Sequence, residues 1–140
     1  MADGSGKKVF VEEVDVETQV FDWGQLAWLS EPRVTQAERF SAGVVTLEPG
    51  KGHDRHNHPG VEEILYVLEG EGVQMVDGED GPDKRTVGPG VLIHIPPDVH
   101  HSTVNTGTGP MRILAVYAPP GPEAALRAMD GVVIEPPKRG

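Results

Sequence analysis

The 140-residue chain contains no cysteine. That excludes disulfides, thiolate nucleophiles, iron–sulfur clusters and zinc sites built from thiolates. An excess of positive charge is also missing: 12 Lys and Arg stand against 22 Asp and Glu, for a net charge of −10. A protein that tracks a nucleic-acid backbone displaces counterions with clustered cations, and this chain has no basic run, so nucleic acid is excluded as a partner. An anionic membrane surface is disfavoured on the same ground. No apolar run approaches the roughly 20 residues that cross a bilayer. The first eight residues lack the apolar core of a secretory leader, so a cytoplasmic protein is expected.

Turn-forming residues, by contrast, are plentiful: eighteen Gly and thirteen Pro divide the apolar sequence into short runs. The length fits one domain. Residues 1–8 read as a flexible tail and 9–140 as a single domain. Over residues 9–20, Val14, Val16, Thr18 and Val20 alternate with Glu13, Asp15, Glu17 and Gln19, the period of a half-exposed strand. Further strands are expected at 25–29, 40–47, 63–68, 73–76, 91–95, 102–105 and 111–117, with an acidic turn over 77–83. One helix is expected at 122–130, with Pro122 in its first turn and Gly131 past its end. Many short strands and one late helix predict an all-β antiparallel sandwich or barrel. The strand at 63–68 is apolar on both faces, with Leu65 and Val67 on one and Ile64, Tyr66 and Leu68 on the other. An antiparallel strand with one wet face alternates apolar with polar. The second face therefore calls for cover, and a homodimer is expected.

Chemistry is concentrated in the histidines. His56 and His58, two apart on a strand, would share a face and aim both imidazoles at one ion. The turn at Pro59-Gly60 would bring in a carboxylate, Glu62 or Glu63, from the head of the next strand. Imidazole and carboxylate donors together suit Fe, Mn, Ni, Cu or Zn rather than Ca or Mg. From Gly50 through His56, His58 and Glu63 to Gly70 the chain reads Gly-x5-His-x-His-x4-Glu-x6-Gly. From Gly90 through Pro96 and His101 to Asn105 it reads Gly-x5-Pro-x-Gly-x2-His-x3-Asn, with Asp98 in place of the second Gly.

These two segments resemble the paired motifs of the cupin superfamily. The resemblance implies a jelly-roll barrel (a double-stranded β-helix) holding one divalent transition metal through His56, His58, Glu63 and His101. Iron or manganese is favoured over zinc, nickel or copper. Asp tolerates the left-handed conformation better than most residues, so the turn at Asp98 is expected to survive. Three neutral imidazoles and one carboxylate leave a divalent ion at +1, and six-coordination would leave two positions open to substrate. Glu63 would then serve catalysis as well as binding, by moderating the Lewis acidity of the ion. His94 reads as a packed or interface residue, His53 and His100 as residues flanking the site, and Glu62 as solvated. Trp23, Trp28, Phe40, Met75 and Tyr117 read as core before pocket. A small-molecule substrate is implied. Three functions compete: a dioxygenase, placed first; a redox-neutral isomerase, lyase, decarboxylase or polyketide cyclase; and a non-catalytic binder. The fold does not choose among them.

Overall fold

The computed structural model describes residues 8–139. Among these, the strands in chain order are β1 (Thr18–Phe21), β2 (Gly24–Ser30), β3 (Ser41–Leu47), β4 (Gly52–His56), β5 (Glu62–Glu69), β6 (Gly72–Gly78), β7 (Gly81–Val87), β8 (Leu92–Ile95), β9 (His101–Asn105), β10 (Met111–Ala118) and β11 (Val133–Glu135). They form two antiparallel sheets. One runs β11-β1-β2-β3-β10-β5-β8 and the other β4-β9-β6-β7. Two short helices, α1 (Pro32–Thr35) and α2 (Pro122–Arg127), complete the chain. The expected all-β jelly roll with a late helix is what forms.

The core lies between the sheets. Alternation along β10 buries Met111, Ile113, Ala115 and Tyr117, and alternation along β5 buries Leu65 and Val67 against them. Leu26, Trp28 and Leu47 close the same cluster from β2 and β3. Two motif residues have structural duties at its edge. Gly70 takes φ +86°, and a Cβ there would lie 2.6 Å from the Pro110 carbonyl oxygen, so only glycine fits the turn. Asn105 is fully buried and satisfied: its amide donates to the carbonyls of Leu47 (2.9 Å) and Gly109 (2.8 Å), and its carbonyl oxygen accepts from the Gly107 N–H (2.9 Å).

Several boundaries differ from the sequence reading. The alternating stretch 9–20 is not one strand, because Glu13–Asp15 forms a 3₁₀ turn and β1 starts only at Thr18. The Asp15 carboxylate accepts the Glu12 N–H at 2.8 Å and the Asp15 N–H closes back on the Glu12 carbonyl at 2.9 Å. That local bonding outcompetes the strand. The acidic turn expected at 77–83 is shorter, since β7 already begins at Gly81 and includes Pro82 and Asp83. As an edge strand β7 can lack the proline N–H. Helix α2 ends at Arg127, short of the expected 130, and α1 and β11 were not foreseen. Of the tail expected over 1–8, residues 1–7 lie outside the described residues. Lys8 is held by two 3.0 Å bonds, from its N–H to the Val34 carbonyl and from Nζ to the Asp15 carbonyl.

Candidate metal centre

Two strands of the smaller sheet bring the first imidazoles together. In the β4–β9 register His56 stands directly opposite His101. His58 does not share a strand with His56, as the spacing had led one to expect: β4 ends at His56, and His58 lies in the loop that leads to β5. That loop is fixed from the far side. Asp98 takes φ +70°, the left-handed turn its position demands. Its carboxylate accepts the Gly60 N–H at 2.9 Å and its carbonyl accepts the Asn57 side-chain amide at 3.0 Å. The second motif thereby holds the loop of the first.

The side chains converge. One ring nitrogen from each of His56, His58 and His101 lies within 4.8 Å of the others. Glu63, at the head of β5, places Oε1 3.3 Å from His101 Nε2 and 3.7 Å from His58 Nε2. The Nδ1 atoms of His56 and His101 donate to the carbonyls of Asp54 (2.6 Å) and Val99 (3.0 Å), which leaves each Nε2 free for the centre. Two atoms there are buried without a hydrogen-bond partner, Glu63 Oε1 and His101 Nε2. An unpaired buried polar group costs about 1–3 kcal/mol, and more when charged. A cation between them removes both penalties, and a set of three nitrogens and one oxygen suits a divalent transition metal. The residues present fit such an ion.

Protonation follows the same geometry. Burial holds His56 and His58 below the usual histidine range, and their imidazole neighbours add to it. At His101 burial works in that direction too, but the Glu63 carboxylate and the Val99 carbonyl outweigh it and raise the group. His53, on β4 opposite Thr103, is pulled down to about 4 by burial, with the three other imidazoles adding to the effect. It packs edge-on against Trp23 at 4.3 Å. Tyr117 stands opposite Glu63 in the β5–β10 register and meets the His58 ring edge-on at 5.4 Å. Its burial, with the carboxylate beside it, pushes the phenol well above its ordinary range.

A small enclosed cavity extends inward from the cluster, walled by apolar Leu47, Leu65 and Ile113 and bordered by His53, Glu63, His101 and Tyr117. The structure adds to the reading of two of these residues. His53, read as flanking the site, lies on a strand and borders the cavity. Tyr117 is core, as read, and touches the site as well. The period of β10 puts 117 on the same face as 113 and 115, but only the pairing of β10 with β5 reveals which carboxylate it meets. His94 and Glu62 sit on the outer face of the larger sheet, bonded to each other at 2.5 Å and remote from the cluster. The His100 carbonyl accepts the Asp77 N–H, and its ring is not part of the convergent group.

Residues 43–117, more than half of the chain, match the Cupin domain family. The chain belongs to the cupin family. This cupin is 34% identical over 107 residues to Protein SchB of Streptomyces halstedii, covering 76% of the present chain and 75% of that protein. It is 29% identical over 120 residues to the Polyketide synthase CurC of Streptomyces cyaneus, covering 86% and 75%. A Glucose-6-phosphate isomerase of Thermococcus kodakarensis is 38% identical over 68 residues, 48% of this chain and 35% of that enzyme. Among solved structures, the oxalate decarboxylase–formate complex of Lactobacillus farciminis superposes with a TM-score of 0.67 at 25% identity, over 74% of this cupin. The cupin spans only 31% of that larger enzyme. KdgF of Halomonas sp. shares the fold at a TM-score of 0.66 and 18% identity, over 84% of this chain and 99% of its own. No helix among the described residues is long and apolar enough to cross a membrane.

Proposed function

We propose that this cupin is an enzyme that holds one divalent transition metal through His56, His58, Glu63 and His101, and that it converts a small oxygen-bearing organic molecule without net oxidation. Isomerisation, decarboxylation and ring closure all fall within this class. The observation that carries the reading is the pair of facing, buried, unpartnered atoms Glu63 Oε1 and His101 Nε2 within a cluster of imidazoles. The names of the similar proteins favour redox-neutral chemistry: a polyketide synthase, a sugar-phosphate isomerase and a decarboxylase. None of the relatives named above carries the name of an oxygenase, so the dioxygenase expectation draws no support from them.

When bound, the ion would act as a Lewis acid on a substrate carbonyl or enolate oxygen. The chain's own residues set the conditions. The Nδ1 bonds of His56 and His101 fix their tautomers. Glu63 contributes the negative charge that moderates the site, and the apolar walls of Leu47, Leu65 and Ile113 keep water from its inner side. His53 borders the same space as Glu63, where burial holds its ring below the usual histidine range.

The test is metal analysis of anaerobically purified protein, combined with oxygen uptake and product analysis on a panel of diketones and hydroxyketones. About one ion per chain, turnover and no oxygen consumption are expected. Oxygen consumed in step with product would replace this reading with the oxygenase one, and protein free of any ion after loading would end it.

Assembly follows from the other face of the larger sheet. Ile64, Tyr66, Leu68 and Leu92 are all exposed there, with Tyr66 and Leu92 cross-strand partners. Glu62 and His94 lie beside them on that stretch and are bonded to each other. On a chain of net charge −10, this is where two copies can approach without mutual repulsion. A homodimer is therefore proposed. Sedimentation at micromolar concentration should give twice the mass of one chain, and a species of one chain's mass would refute it.

A further inference from the structure

Tyr117 is a buried phenol that the chemistry above does not use. On the inner face of the larger sheet, strand pairing sets Ser41 of β3, Tyr117 of β10, Glu63 of β5 and Ile95 of β8 in one row. Residues paired in this way share a face and lie about 4.5–5.5 Å apart. Tyr117 therefore has two polar neighbours across the strands. Ser41 is not its partner, because the Ser41 hydroxyl is buried without any hydrogen bond. The Glu63 carboxylate, on the other side, lies within reach of the phenol. Both side chains border the small cavity beside the imidazoles.

The ring itself is braced. In the next row Trp28 of β2, Gly43 of β3 and Ala115 of β10 stand side by side. A Cβ on Gly43 would lie 3.1 Å from Cε3 of Trp28, so the missing side chain makes room for the indole. The indole reaches Tyr117, with ring centroids 5.6 Å apart. It is fully buried, and its Nε1 donates to Gln19 Oε1 at 3.0 Å. Gln19, equally buried, donates from Nε2 to the Glu123 carbonyl in α2 at 3.3 Å. The Tyr117 ring also meets His58 edge-on. Helix α2 thus supports the phenol through two buried side chains.

We propose that Tyr117 is a positioning residue of the metal centre: its O–H donates to the Glu63 carboxylate and turns that group so that Oε1 faces His58 and His101. The proposal rests on the metal reading above and assigns the support of its carboxylate ligand. A carboxylate free to turn about its side-chain bonds presents either oxygen and has to be ordered when an ion arrives. A bond that fixes it beforehand lowers that cost, and such outer partners are worth about ten- to a hundredfold in metal affinity. His56 and His101 have partners of this kind in the carbonyls of Asp54 and Val99. Tyr117 supplies the equivalent for Glu63, from a side chain.

The test is calorimetric titration of the metal-free, full-length protein with Co²⁺. Tyr117→Phe keeps the ring against Trp28 and His58 and removes only the hydroxyl. It should bind the ion at least about tenfold more weakly than wild type. Glu63→Ala, which leaves three imidazoles to hold the ion, supplies the second background. With no carboxylate to orient, adding Tyr117→Phe there should change affinity by no more than about twofold. A role confined to packing would weaken binding in both backgrounds alike. Wild-type affinity in Tyr117→Phe, or an equal loss in both backgrounds, would overturn the assignment and leave the metal site standing. Failure of the wild-type protein to take up any ion would overturn both.

Discussion

Replacing His101 with alanine should lower affinity for a divalent transition metal by at least about a hundredfold, which is roughly 2.7 kcal/mol. His101 is the best-buried imidazole of the cluster, and its free Nε2 lies 3.3 Å from Glu63 Oε1. Its loss removes one donor and leaves the buried carboxylate facing an empty volume. The effect on stability follows by linkage. An ion that binds only the folded chain adds about 2.7 kcal/mol when present at a hundred times its dissociation constant. Wild-type protein should therefore unfold at a clearly higher temperature with metal than without, and His101→Ala should show almost no difference. Glu63→Gln separates holding the ion from using it: the amide keeps one oxygen donor, so some metal stays, but the charge that tunes the site is gone. Turnover per bound ion should fall further than occupancy. Calorimetric titration, metal content and paired melting curves check these outcomes. Full metal content in His101→Ala would show that the ion sits elsewhere.

The metal-free protein should lose stability as pH falls from about 6.5 to about 4. In the folded chain His53 titrates near 4, against 6.5 without its surroundings. Between those values the unfolded chain binds the extra proton, so stability rises with pH across the window and its loss is complete only below the folded value. At about 1.4 kcal/mol per unit, His53 alone accounts for up to about 3 kcal/mol. His56 and His58, also held down by burial, act in the same direction. His101 acts in the opposite one. Its folded value is raised, so its contribution is present in acid and fades as pH rises through that value. His53→Phe keeps a ring against Trp23 and removes the titration. Melting temperature against pH should be markedly flatter in that variant from 6.5 down to 4, and an unchanged slope would mean that His53 is not the source.

Much of the site was legible because it depends on short-range spacing. The two motifs placed His56, His58, Glu63 and His101 together, and the structure brings their donor atoms within a few ångströms. The left-handed turn at Asp98 was also readable, since few side chains other than Asp and Asn accept it. What the sequence could not show depends on strand pairing. His53 and Tyr117 reach the cavity only because β4 lies beside β9 and β10 beside β5. Local chemistry misled in one place. The alternation at 13–17 has the period of a strand, yet Glu12 and Asp15 satisfy each other's backbone and close a turn instead. His58 was read as a strand residue beside His56, but it belongs to the loop between β4 and β5.

That loop position bears on how fast ions exchange. His58 is held by the bonds from Gly60 and Asn57 to Asp98, on the segment that leads to His101. Its imidazole is therefore ordered by folding, before any ion arrives, and an incoming ion has little chain to immobilise. The reverse holds for release. With the two loops fastened to each other, neither can swing away alone and carry a ligand with it. Release of an ion held there would then depend on protonation of individual imidazoles more than on loop motion. Asp98→Gly, which leaves the turn itself intact, would remove the carboxylate's bond to Gly60, keep the Asn57 bond to the main-chain carbonyl, and so return part of that control to the loop.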